Sequence, residues 1–154
     1  MTILSSAPMP TTPYHSGRIA WNTAAFEQAF AGSVWTRLWL KLTGRQRHLL
    51  DLAQVAGMVK ARRYAGLRSV ALRQIQGSEG RAHEFTRDFR PLRRHTRQRW
   101  LKVDAAYAQG YGLPPVELFQ VGDIYFVRDG HHRISVAKAR GLTEIESLVT
   151  VLQV

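Results

Sequence analysis

The stretch that most narrows what this chain can fold into runs from Val116 to its last residue. "VELFQV" and "IYFV" are two short β-rich runs separated by Gly122-Asp123, a pairing that suits a tight hairpin turn. "RDGHHRISVAKARG" then supplies an Asp-Gly turn and a short helix. Ile134, Val136 and Ala137 give that helix a core face, and Gly141 is placed to end it. "IESLVTVLQV" reads as a closing strand. A helix of this length cannot bury its face alone, so it must lie on the sheet that the flanking strands build. The expectation is an α+β fold with a small mixed sheet and helices.

Upstream, the periodicity is helical. Residues from Asn22 to Lys41 put Phe26, Phe30, Val34, Trp35, Leu38 and Trp39 at helical spacing, with Asn22 or Thr23 as cap. A second helix is predicted from Thr43 to Tyr64, after the break "TGRQR". Together they read as a helical hairpin over residues 21–66 that packs on the main domain rather than reading DNA as a helix-turn-helix. The main domain is expected over residues 67–154. It opens with a strand in "RSVALRQI", closed by the glycine-bounded turn "QGSEGR". "AHEFTRDFRPL" is predicted as an irregular helical segment, and Leu92–Gln109 as a regular helix ended by Gly110 and "GLPP". Residues 1–20, with three prolines, are expected to form a loose arm.

Charge divides the chain. Residues 1–102 hold 18 Lys or Arg against 5 Asp or Glu, whereas residues 103–154 hold 4 against 6. Such a surface attracts polyanions, so nucleotides or nucleic acid are the expected partners, and no membrane is expected. Arg93, Arg94, Arg97, Arg99 and Lys102 fall on successive turns of the predicted helix and are candidates to contact a nucleic-acid backbone. The chain has no cysteine, which removes thiolate chemistry and Cys-ligated zinc and suits a reducing compartment. No apolar run suggests a signal peptide or a membrane span, so a cytoplasmic protein is expected.

Four readings compete for Asp129-Gly130-His131-His132-Arg133. The plainest makes Asp129 a helix cap and Gly130 a turn. A metal site is disfavoured, because adjacent histidines on a helix point about 100° apart; the expected metal set is none. A third reading makes Asp129 or a histidine a proton acceptor. The fourth uses the helix N-terminus, where free N–H groups and the dipole favour an anion, glycine permits close approach, and Arg133 adds a charge-assisted bond.

These residues also resemble a known family. "LPPVELFQVGDIYFVRDGHHRISVAKARGLTEIESLVTV" is similar to the motif-bearing half of the ParB/sulfiredoxin superfamily, and Gly130-His131-His132-Arg133 matches its Gly-x-x-Arg turn. "SVALRQIQGSEGR" is similar to the family's upstream strand and loop, so the resemblance spans about residues 68–154. It implies a domain whose helix start holds the phosphates of a nucleotide such as CTP, ATP or ADP, with Mg²⁺ as a companion. The phosphate-binding set it suggests is Gly130, His131, His132, Arg133, Ser135, Ser78 and Arg81. Sulfiredoxins use a catalytic cysteine in this turn. His131 stands at that position, so sulfiredoxin chemistry is excluded.

The function expected is therefore nucleotide- or nucleic-acid-phosphate binding. Two alternatives accompany it. One is catalysis of the free-serine-kinase or ParB CTPase type, or nuclease chemistry, with Asp129, Glu79 or His131 as base. The other is a non-catalytic interaction or DNA-binding regulatory module.

Overall fold

The computed structural model describes residues 21–43 and 48–154, with the stretch 34–43 as backbone only. The arm expected over residues 1–20 lies outside the described residues. Six strands form one mixed sheet: β1 (Leu50–Asp51), β2 (Ala61–Ala71), β3 (Ile75–Ser78), β4 (Val116–Val121), β5 (Ile124–Asp129) and β6 (Glu144–Gln153). Their spatial order is β1-β3-β5-β4-β6-β2. The helices are α1 (Thr23–Thr43), the single turn α2 (Ala53–Ala56), α3 (Arg97–Ala108) and α4 (His131–Ala139). The α+β class with a mixed sheet is the one expected.

The last third folds as its pattern dictates. β4 and β5 pair antiparallel around Gly122, whose φ of 57° the tight turn needs. After β5 the chain runs through α4 to β6, which lies parallel to β4. Val116 and Leu118 of β4, Val127 of β5 and Val149 of β6 bury on one sheet face against Ile134 and Ala137 of α4. Burying side chains of this size contributes roughly 1.5–3 kcal/mol each relative to exposure. The opposite face is covered in part by Leu52 and Val55 over Phe119, Phe126 and Leu152. Along the flank of the domain, Phe26 and Ala29 of α1 pack on Trp100 and Leu101 of α3 and Val136 of α4. Phe26 meets Trp100 edge-on, with ring centroids 5.6 Å apart.

The second helix of the predicted hairpin does not form. Among the described residues of that segment, only Ala53–Ala56 is helical, started by Asp51 Oδ1 accepting the Ala53 N–H. Leu50–Asp51 instead pairs parallel with Gly77–Ser78, and Leu49 enters the main core. Residues from Ala61 join the sheet, because β6 offers a ten-residue partner and β2 pairs with it from Ala61↔Gln153 to Ala71↔Glu144. Strand pairing overrides the helical reading of "KARRY". Sheet therefore begins upstream of residue 67, and the described residues hold no helix-turn-helix there. "AHEFTRDFRPL" is likewise not helical. It is a turn closed by the bridge Phe85↔Pro91, with Phe85 and Phe89 both buried and Phe89 at φ 60°.

Candidate functional site

The N-terminus of α4 opens onto a cleft of about 330 Å³. Gly130 precedes the helix at φ 101°, a left-handed conformation that L side chains seldom adopt. A Cβ at this position would also stand 2.5 Å from Val116 Cγ1. No side chain caps the helix, so the leading N–H groups of α4, at the positive end of its dipole, have no side-chain acceptor. Four arginines line the cleft: Arg81 from the turn after β3, Arg99 from α3, Arg128 from β5 and Arg133 from α4. Asp129 is the carboxylate among the lining residues.

The two histidines form the floor. His131 Nε2 lies 2.6 Å from Ser78 Oγ, and Ser78 Oγ also accepts the Arg81 N–H at 3.1 Å. Phe85 stacks on His131 at 5.8 Å and meets His132 edge-on at 5.5 Å. Burial, with neighbouring cations, pulls both imidazoles down to about 4: Arg81 acts on His131, and Arg99 and Arg81 act on His132. Both are neutral near pH 7. His132 Nδ1 is buried with no hydrogen-bond partner among the described residues.

Arg133 is held on three sides. Its Nη1 donates to the carbonyls of Pro114 and Pro115, and its Nη2 to Asp129 Oδ2. The guanidinium therefore ties the start of β4 to α4 while still lining the cleft. Asp129 does not cap the helix, because its carboxylate pairs with Arg133 four residues on.

The other anticipated residues are distributed unequally. Arg81, Gly130, His131, His132 and Arg133 come together in the cleft. Ser78 stands behind them, fully buried, with its hydroxyl committed to His131 and the Arg81 amide. Ser135 points away, into the flank, where its Oγ accepts the Trp100 Nε1–H at 3.0 Å. Glu79 is half-exposed and pairs loosely with Arg128. The basic set does not form one helical stripe, because Arg93 and Arg94 precede α3. Arg94 and Arg97 reach Glu27 and lie over Phe30 and Phe26, Arg99 enters the cleft, and Arg93 and Lys102 stay exposed.

Sequence reasoning missed Arg128 and the cleft role of Arg99. Arg128 stands two residues before Gly130 at the end of a strand, a position that carries no motif. Arg99 was legible only as one cation in a run. Among the described residues no group of three or more His, Asp or Glu is placed to hold a metal ion, and no helix is long and apolar enough to cross a membrane.

No protein-family model matches the chain, and no curated protein does. Among solved structures, the chain is similar to the crystal structure of sulfiredoxin from Arabidopsis thaliana. The identity is 16%, over 54% of this chain and 82% of that one, and the TM-score is 0.41. A likeness of that degree carries no statement about ligand or activity.

Proposed function

We propose that the cleft at the start of α4 binds the phosphate groups of a nucleotide. The observation that carries this reading is the convergence of Arg81, Arg99, Arg128 and Arg133 on an uncapped helix N-terminus. Backbone N–H groups, the helix dipole and several guanidiniums then act on one anion in a partly enclosed space. The volume sits at the lower end of the range for ligand pockets, which suits a phosphate chain with the rest of the nucleotide reaching outward. Asp129 would let go of Arg133 as the phosphate arrives, one anion replacing another on the same guanidinium.

Binding is better supported than catalysis. His131 is neutral and already engaged by Ser78, and burial makes it a weak base. Phosphoryl transfer or hydrolysis would fall to Asp129 once released from Arg133, with Mg²⁺ brought by the nucleotide. A nucleic-acid backbone remains the second reading, using Arg93 and Lys102 beside the cleft arginines.

The test is a thermal-shift series with CTP, ATP and ADP, with and without Mg²⁺, beside single- and double-stranded oligonucleotides. A ligand that binds the native state alone raises its apparent stability. The expected result is a shift with at least one nucleotide that Arg81→Ala and Arg99→Ala each reduce. Shifts with oligonucleotides alone, falling steeply with salt, would move the reading to nucleic acid. No shift with either class ends it.

A further inference from the structure

A second and larger cavity lies along the flank of α4, away from its N-terminus. It measures about 540 Å³ and sits between α1, α3, α4 and the turn at residues 86–90. Part of its wall is apolar, formed by Ala25 and Ala29 of α1 with Trp100 and Phe89. Several of the polar groups around it are paired from within. Arg140 Nε and Asp104 Oδ1 pair at 2.8 Å, with Arg140 Nη2 bonded to the Asp104 carbonyl, and Ser135 holds the Trp100 indole.

Lys138 stands apart from these pairs. Its ammonium lies 4.6 Å from the centre of the Phe89 ring and forms no ion pair among the described residues. Burial pushes its pKa down, and Asp88 opposes that shift from beyond ion-pairing distance. A partly desolvated ammonium whose nearby carboxylate stands beyond contact is poorly compensated, and an arriving anion would relieve it. Once Asp104 and Arg140 cancel, Lys138, Arg90 and Asp88 remain in the wall, a net of one positive charge. That matches a singly charged ligand rather than a phosphate.

The turn that presents Phe89 is itself held against its preference. Phe89 is buried at φ 60°, which non-glycine residues seldom adopt. It is kept there by Phe89 N–H to the Thr86 carbonyl, Thr86 N–H to the Arg90 carbonyl and Arg90 N–H to Thr86 Oγ1. Buried strain of this kind clusters where a ring or backbone must be aimed at a ligand. Here it aims the ring under the lysine.

We propose that this cavity is a second ligand site, taking a small monocarboxylate whose apolar body packs against Phe89 and Trp100 and whose charge meets Lys138. It does not depend on the phosphate cleft.

The test is an amide-resolved NMR titration of the full chain with benzoate, and with benzamide as its neutral counterpart. The expected result is saturable shifts at Ala29, Ser135 and Lys138 with benzoate, and binding weaker by roughly tenfold with benzamide, the loss of one charge-assisted contact. Lys138→Met should weaken benzoate to a similar extent, Lys138→Arg should largely preserve it, and Arg81→Ala should leave it unchanged. Equal affinity for benzoate and benzamide in the wild-type protein would overturn the proposal, whether or not Lys138→Met folds. So would unchanged binding by a folded Lys138→Met, or the absence of shifts at these amides.

Discussion

The two sides of the α4 cleft are built on different terms. On the helix side, Gly130, His131 and Arg133 are each spoken for: a left-handed turn against Val116, a hydroxyl partner in Ser78, and three acceptors around one guanidinium. On the facing side, Arg99 is exposed, and Arg81 has a distant, solvent-screened partner in Glu84 at 3.9 Å. The difference teaches that the motif residues do structural duty first, whereas the rim has charge to spare for a ligand. Substitutions should therefore separate: the helix side should lose stability, and the rim should lose binding.

The largest effect expected is acid sensitivity of the helix side. Both histidines ordinarily titrate at 6.5 but are held to about 4 in the fold. Between those values the unfolded chain takes up protons that the native state refuses. Stability is thus full above pH 6.5 and falls as pH drops toward 4, by about 3 kcal/mol for each histidine. Urea unfolding from pH 7 to 4.5 measures this, and a His131→Asn/His132→Phe variant should show a flatter dependence. Equal slopes in both proteins would break the comparison.

Next comes Gly130→Ala. Left-handed backbone strain and the clash with Val116 together cost about 2–4 kcal/mol, read as a lower denaturation midpoint. Arg133→Ala should follow at about 2–3 kcal/mol, because the Pro114 and Pro115 carbonyls lose a charged donor. Nucleotide binding should fall with it, so this variant alone cannot distinguish a grip from a strut. Arg81→Ala and Arg99→Ala sharpen the contrast: stability within about 0.5 kcal/mol of wild type, but nucleotide affinity weaker by about 1–3 kcal/mol in calorimetric titration. The smallest effect belongs to Arg93→Ala and Lys102→Ala, expected to change neither stability nor nucleotide affinity by more than about 0.5 kcal/mol.

What could be read from the sequence follows the range of the interactions involved. The β4–β5 hairpin, α4 and β6 are close in sequence and carry their own turn and period signals, so their order was plain. The segment 48–64 was not, since its structure is decided by distant partners. Leu50 is a strand residue because Gly77 lies beside it, and Arg62 is one because Leu152 does. The same holds for the site. Gly130 and Arg133 stood out through local spacing, whereas Arg99 and Arg128 reach the cleft only by the packing of α3 and the register of β5. Asp129 looked like a cap because Asp-Gly before a helix commonly is one. An arginine four residues on was a stronger competitor than the helix amides.

The bond between Ser78 and His131 reaches beyond the cleft. Ser78 is the last residue of β3, opposite Val127 in a parallel pairing, so its hydroxyl arrives at the imidazole only in that register. Displaced by one position, the strand would offer Gly77, with no hydroxyl, or Glu79, with an extra charge in a buried place. The site therefore acts as an alignment mark for the sheet. A chain that folds with β3 out of step would arrive with a histidine unmatched at the floor of its cleft.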